Sequence, residues 1–279
     1  MIVFPNCKIN LGLQVCARRA DGYHDLDTVF LPLALHDALE FRPSTETRMH
    51  TEGLSVPGHP ADNIVLKALN MLRQRFPTLP PLDIVLLKAI PTGAGLGGGS
   101  ADGAFFLEAV NRHFNLAMSP DELAAMALSL GSDCPFFLLN HPAHATGRGE
   151  QLQPLTLNLQ QWTVLLVKPE FSVSTGWAFA QLEPRSGRPS TAGIISEYPV
   201  SEWRTLLEND FEAPIFEQYP QGREIRETLY RLGASYAALT GTGSVVYGLF
   251  APEHGEYLPL NTEWQKLFPG CTVFQTRPL

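Results

Sequence analysis

Polar and apolar residues alternate from Lys8 to Val15, a period of two that predicts a strand. After the turn signal Asp21-Gly22, a second apolar run from Thr28 to Leu35 breaks at His36-Asp37, so residues 2–41 read as β-rich. A polar stretch with Pro and Gly follows over 43–60. Asp62 or Asn63 then stands where it would cap a helix carrying Ile64, Leu66, Leu69 and Leu72. Asp83 to Lys88 predicts a short strand that delivers the chain to Pro91.

Beyond Pro91 the period changes. Phe106, Val110 and Phe114 recur every four residues with Leu107 beside them, an apolar stripe on a helix. A second helix is announced by Ser119 at its cap, Pro120 at its first position and Glu122 three after the serine. Leu123, Met126, Ala127 and Leu130 form its apolar face, and Gly131 is placed to end it. Near 150–160 the pattern resets, through Pro154 and a polar run at 158–161, into a strand over Thr163 to Lys168. The expected domains are therefore 1–155 and 156–279. In the second, 183–192 reads as a loop, Glu224 to Leu232 as a helix, and Tyr236 to Leu239 and Val245 to Phe250 as strands flanking "TGTGS".

Composition narrows the classes. With 44% apolar and 17% charged residues among 279, the chain reads as globular and long enough for a substantial core. Twenty basic against 28 acidic residues leave a net charge of −8 with no basic cluster, which opposes nucleic-acid binding. Cys7, Cys16, Cys134 and Cys271 are scattered, without metal spacing, and point to reduced thiols in a cytoplasm. Pro5 and Lys8 interrupt any signal-peptide core and no apolar run nears membrane-span length, so neither export nor a membrane anchor is expected. Monomer and homodimer both remain open.

The stretch "IPTGAGLGGGSADGAFF", residues 90–106, carries the candidate chemistry. Six glycines fall within residues 93–103, between a strand and a helix. Bare backbone at a helix amino terminus presents several N–H groups and the positive end of the helix dipole to one anion, and phosphate is the natural guest. Gly93, Gly95 and Gly98 satisfy G-x-G-x-x-G, but the acidic partner that a dinucleotide fold needs about 20 positions on is replaced by His113 to Asn115, at a helix end. A P-loop would need lysine where Gly99 stands. The phosphates are thus left to amides and a helix, with a cation supplied from elsewhere.

"PTGAGLGGGSAD" resembles the central motif of the GHMP kinases, the superfamily named for galactose, homoserine, mevalonate and phosphomevalonate. "PNCKINLGLQV" at 5–15 and "LTGTGS" at 239–244 resemble its other two motifs, in the right order. "RADGYHDLDTVF", "GSDCPFFL" and "NDFE" resemble the branch that phosphorylates a cytidine diphosphate-linked alcohol on the way to isoprenoid precursors. The resemblance implies an α+β, two-lobe fold, with an amino-terminal lobe like ribosomal protein S5 domain 2 and a ferredoxin-like carboxy-terminal lobe. It implies ATP with Mg²⁺ and direct phosphoryl transfer to an alcohol. A homoserine or mevalonate type of kinase is the nearest alternative, while a nicotinamide oxidoreductase and an RNA-binding module are opposed by the missing acidic partner and the acidic charge.

The same resemblance assigns roles. Asp133 falls on the family's catalytic aspartate, which accepts or orients the proton of the attacking hydroxyl, and Lys8 on the lysine beside it. Taken alone, Asp133 past a helix-ending glycine would satisfy turn amides, and a strand lysine would face solvent. Pro91, Thr92, Gly93, Ala94, Gly95, Leu96, Gly97, Gly98, Gly99, Ser100 and Ala101 form the implied ATP loop, with Asn63 and Lys88 aligned on further nucleotide contacts. Tyr23 and Phe179 would sandwich the cytosine ring and His24 would bond its edge; Asn10, Thr175 and Thr240 align near the substrate. Mevalonate-type relatives carry serines where this chain has Gly98 and Gly99, so its resemblance to them does not extend to a protein ligand for magnesium.

Overall fold

The computed structural model describes residues 1–255 and 261–279. The short β1 (Ile2–Val3) precedes two long strands, β2 (Asn6–Arg18) and β3 (His24–His36), joined across Asp21-Gly22. Then come β4 (Ala38–Pro43), β5 (Arg48–Gly53), α1 (Ile64–Arg75), β6 (Leu82–Lys88) and α2 (Gly98–His113). Helices α3 (Pro120–Leu130) and α4 (Cys134–Leu139) lead to the hairpin of β7 (Ala143–Gly147) and β8 (Gln151–Pro154), then β9 (Thr163–Lys168). Helices α5 (Thr175–Ala180), α6 (Thr191–Glu197), α7 (Trp203–Leu206), α8 (Glu212–Gln218) and α9 (Pro220–Arg231) follow. The chain closes with β10 (Tyr236–Leu239), β11 (Val246–Phe250), α10 (Asn261–Leu267) and β12 (Thr272–Thr276).

These elements sort into two compact units that alternate along the sequence. The first takes Met1–Cys7, Leu35–Thr92 and Gly97–Asn140; the second takes Lys8–Ala34, Gly93–Leu96 and His141–Leu279.

In the first unit a sheet of order β1-β4-β6-β5 supports the helices, with β4 antiparallel and β5 parallel to β6. Phe41 of β4 meets the edge of Phe106 of α2, ring centroids 5.4 Å apart, so the apolar stripe seen in the sequence does face a core. Asn63 caps α1 by accepting from the Val65 amide, and Ser119 with Glu122 closes a reciprocal capping box on α3. Gly131 ends α3 in extended backbone. Strand β5, in the polar 43–60 stretch, shows no strand pattern because "RMHTEG" is an exposed sheet edge with one paired side.

In the second unit β2-β3-β7-β8 form one sheet and β10-β11-β9-β12 another. The latter is antiparallel throughout, with helices after its first and third strands in chain order, which is the expected ferredoxin-like βαββαβ arrangement. Leu13, Val15, Val167, Phe211, Ile225, Leu239 and Val246 belong to one apolar core here. The alternation of β2 proves chemical rather than solvent-directed. Its apolar positions Ile9, Leu11, Leu13 and Val15 are buried, and so are its polar ones, Lys8, Asn10 and Gln14. A strand lysine read in isolation as solvent-facing is 3% exposed.

Candidate active site

Buried polar groups must find partners, and those of β2 do. In the second unit, Lys8 Nζ donates to Asn10 Oδ1 at 2.7 Å and lies 4.8 Å from the centre of the Phe30 ring. Asn10 Nδ2 donates to Thr28 Oγ1 (3.0 Å), whose hydroxyl donates to the Gly12 carbonyl (2.5 Å). Thr240 Oγ1 accepts from the Asn10 amide at 3.0 Å and sits 3.1 Å from the Gly95 carbonyl. The Lys8 amide donates to the Leu96 carbonyl, and the Val245 amide to that of Ala94. Residues from all three motifs are thereby joined in one hydrogen-bonded network.

Contact with the third motif explains one of the glycines. Gly95 has φ +81°, and a Cβ there would stand 2.1 Å from the Thr240 carbonyl oxygen, so no side chain fits. The Asn209 amide group reinforces the same corner, donating to the carbonyls of Leu239 (2.8 Å) and Gly241 (3.0 Å). "NDFE" is thus a brace. Asn209 holds the third motif, Asp210 receives Arg188, Arg185 and the Val15 amide, and Glu212 accepts from the Leu239 amide and Arg226.

The aromatic candidates also lie in the second unit. His24 stacks on Phe179 with ring centroids 4.9 Å apart and an 18° tilt, and Phe179 meets Phe211 edge-on. Burial and the nearby Arg18 charge hold His24 below the usual imidazole value, favouring the neutral ring with one donor and one acceptor. Tyr23 is 53% exposed, and the Arg148 guanidinium lies 4.7 Å from its ring centre. Arg148 had no sequence signal. Thr175, exposed at the start of α5, has its hydroxyl 3.4 Å from that of Thr242.

In the first unit, helix α2 begins at Gly98 with Gly97 at its cap in the left-handed conformation, φ +71°. A glycine cap has no side chain to occupy the first-turn amides, so those of Gly98, Gly99 and Ser100 point where an anion would be received. A Cβ on Gly98 would press to 2.7 Å from Ile90 Cγ2, whereas Gly99 has open space. On α4, burial pushes the Cys134 thiol up to about 12. Ala101 continues the helix through its amide bond to Gly97, Pro91 is buried, and the Thr92 hydroxyl is buried at the end of the strand-to-loop segment.

Asp133 stands at the N-cap of α4 with helical backbone angles, and its side chain makes no cap bond. Asn63 performs the capping role noted above. Lys88 is buried, its ammonium between the carboxylates of Asp37 and Asp102, with Asp102 Oδ2 at 2.7 Å. Neither aspartate carried a sequence signal beyond the break at His36-Asp37 and its place in "GGGSAD". Among the described residues no group of three or more His, Cys, Asp or Glu is placed to hold a metal ion, and no helix is long and apolar enough to cross a membrane.

The model of the GHMP kinases N terminal domain matches residues 63–141, and that of the GHMP kinases C terminal matches 200–256. The 4-diphosphocytidyl-2-C-methyl-D-erythritol kinase of Parabacteroides distasonis is 46% identical over 275 residues, spanning 99% of this chain and 98% of its own. The chain belongs to the GHMP kinase family. The like-named protein of Bacteroides thetaiotaomicron is 49% identical over 98% of both chains. A crystal structure of a 4-(cytidine 5'-diphospho)-2C-methyl-D-erythritol kinase superposes with TM-score 0.79 at 30% identity over 99% of both chains. Mevalonate kinase of Methanococcus jannaschii, at TM-score 0.70 and 16% identity over 100% of this chain and 98% of its own, shares the fold alone. The protein is an α+β GHMP kinase, a phosphotransferase of the branch these relatives represent.

Proposed function

We propose that this kinase transfers the γ-phosphoryl group of ATP to the 2-hydroxyl of 4-diphosphocytidyl-2-C-methyl-D-erythritol, giving the 2-phosphate and ADP. The observation that carries the choice of acceptor is the His24–Phe179 stack beside an exposed Tyr23, a flat surface with a hydrogen-bonding ring of the kind a pyrimidine needs. Mevalonate and homoserine have no base to place there. Tyr23 and Phe179 take the faces of the cytosine once His24 leaves its stack on Phe179 to bond the edge of the base, and Asn10, Thr175 and Thr240 serve the sugar-alcohol end.

Pro91 to Ala101 hold the triphosphate, through backbone N–H groups and the amino end of α2, with Asn63 and Lys88 supporting the nucleotide. Asp133 accepts the proton of the attacking hydroxyl, and Lys8 offsets charge on the transferring phosphoryl group. Transfer is direct and in line, without a phosphoenzyme, because positioning and electrostatics supply most of what phosphoryl transfer requires. Magnesium fits as a companion of ATP rather than a resident ion, since Gly98 and Gly99 offer no side-chain oxygen ligand. In functional terms residues 1–155 make the ATP-binding domain, which also lends Asn10, Tyr23 and His24 to the substrate, and 156–279 the substrate domain. Four free thiols suit a reducing cytoplasm.

A coupled ADP-release assay with 4-diphosphocytidyl-2-C-methyl-D-erythritol, mevalonate, homoserine and galactose tests the assignment. Turnover confined to the cytidylyl substrate is expected; preference for any of the others overturns it.

A further inference from the structure

Three charged side chains lie together in the first unit, each almost sealed from solvent: Asp37 1%, Lys88 3% and Asp102 2% exposed. Lys88 ends β6, Asp37 sits between β3 and β4, and Asp102 lies in the opening turns of α2. The arrangement ties the start of the glycine segment to the helix that follows it. Asp37 Oδ1 accepts from the amides of Ala89 (2.6 Å) and Ile90 (2.9 Å), the first residues after the strand. Its other oxygen receives the Lys88 ammonium, which also donates to Asp102 Oδ2 at 2.7 Å. A Cβ on Gly98 would stand 3.4 Å from Lys88 Nζ, so the ammonium underlies the first turn of the helix.

One ammonium against two carboxylates leaves an uncompensated negative charge in a dry site, which is strongly unfavourable. A proton on one carboxyl removes it. Asp37 already accepts from the Lys88 ammonium and from the amides of Ala89 and Ile90, whereas Asp102 Oδ1 is buried with no hydrogen-bond partner among the described residues, so the proton belongs on Asp102. We propose that Asp37, Lys88 and Asp102 form a positioning cluster holding one shared proton, and that losing this proton shifts the amino end of α2 and weakens its grip on the ATP phosphates. The inference rests on the assignment of that helix end to ATP.

Burial dominates at Asp102 and raises its carboxyl to about 8, against the lowering effect of Lys88. On the helices packed against α2, the Cys134 thiol of α4 stays protonated, Lys67 of α1 pairs with Asp62, and Glu122 of α3 pairs with Arg75. The last two pairs are exposed and solvent-screened, and the terminal ammonium preceding β1 is held on the Phe41 carbonyl away from Lys88, so the alkaline response is assigned to Asp102.

The test is the dissociation constant of a non-hydrolysable ATP analogue, titrated by fluorescence from about pH 6.5 to about pH 9.5 with wild type, Asp102→Asn and Asp37→Asn. Wild type is expected to weaken by about tenfold across this range, the equivalent of one pKa unit of lost interaction. Asp102→Asn, a neutral mimic of the protonated acid, is expected to flatten that rise, and Asp37→Asn to bind weakly at every pH. An Asp102→Asn profile as steep as wild type overturns the proposal. Wild-type infrared spectra give a measurement independent of variant folding: the band of a buried protonated carboxylic acid should disappear as pH passes about 8. Absence of that band also overturns it. Absence of analogue binding at every pH would count against the ATP site itself, whereas tight binding with a flat wild-type profile defeats only the cluster.

Discussion

Gly95 and Thr240 are held in backbone contact: the threonine hydroxyl sits 3.1 Å from the Gly95 carbonyl, and its own carbonyl occupies the space a Gly95 Cβ would need. Gly95→Ala therefore adds a collision to a positive φ, and the strained backbone alone costs about 1–3 kcal/mol. Gly93, at φ +66°, has nothing within 4 Å of its would-be Cβ. Gly93→Ala is expected to lose less stability than Gly95→Ala by urea unfolding, while raising the KM for ATP. Equal stability losses would contradict the distinction.

Asp133→Asn keeps the side-chain shape and removes the charge at the α4 N-cap, where no cap bond is lost. Turnover should fall by about 10²–10⁴, the usual contribution of a positioned base, in a protein that still folds. Lys8→Met should lower turnover comparably and cost some stability too, because it leaves Asn10 Oδ1 short of a buried donor. A folded Asp133→Asn enzyme with wild-type turnover would remove the aspartate from the mechanism.

Tyr23→Ala is predicted to raise the KM for the cytidylyl substrate far more than that for ATP. Loss of one stacking partner is worth about 1–3 kcal/mol, or roughly 5- to 150-fold. Steady-state kinetics varying each substrate in turn measure both effects; equal rises would mean that the ring does not meet the base.

Acid should destabilise the second unit through Asp210. Burial raises its carboxyl, but Arg188, the Val15 amide and Arg185 outweigh burial and hold it below the ordinary carboxylate value. The folded state then binds fewer protons than the unfolded chain, so this stabilisation is complete above the ordinary carboxylate value and is lost as pH falls through the lowered one. Unfolding followed across the acid range should show a steeper loss of stability for wild type than for Asp210→Asn. Parallel curves would exclude the carboxylate as the cause.

Much of this was legible in local sequence. Ser119, Pro120 and Glu122 announced α3, the pair Asp62-Asn63 announced α1, and "DIVLLK" announced β6, because caps and periodicity act within a few residues. Other elements had no such local mark. The edge strand β5 is polar, the four-residue strand β8 is largely exposed, and the short helices α5 to α8 are too brief to repeat a pattern. Arg148 over Tyr23 joins residues far apart in sequence, and Asp37 beside Lys88 joins residues 51 positions apart.

The chain's own order of residues determined that bare amides precede a helix, that polar side chains alternate along the second strand, and that no lysine stands within the glycine segment. Tertiary structure alone decided what those features meet. It buried the polar face of β2 on Thr28 and Thr240, laid His24 against Phe179, and sealed two aspartates around one lysine. Backbone preferences are short-ranged and can be read in sequence, whereas burial, charge pairing and close approach depend on which distant segments the fold brings together.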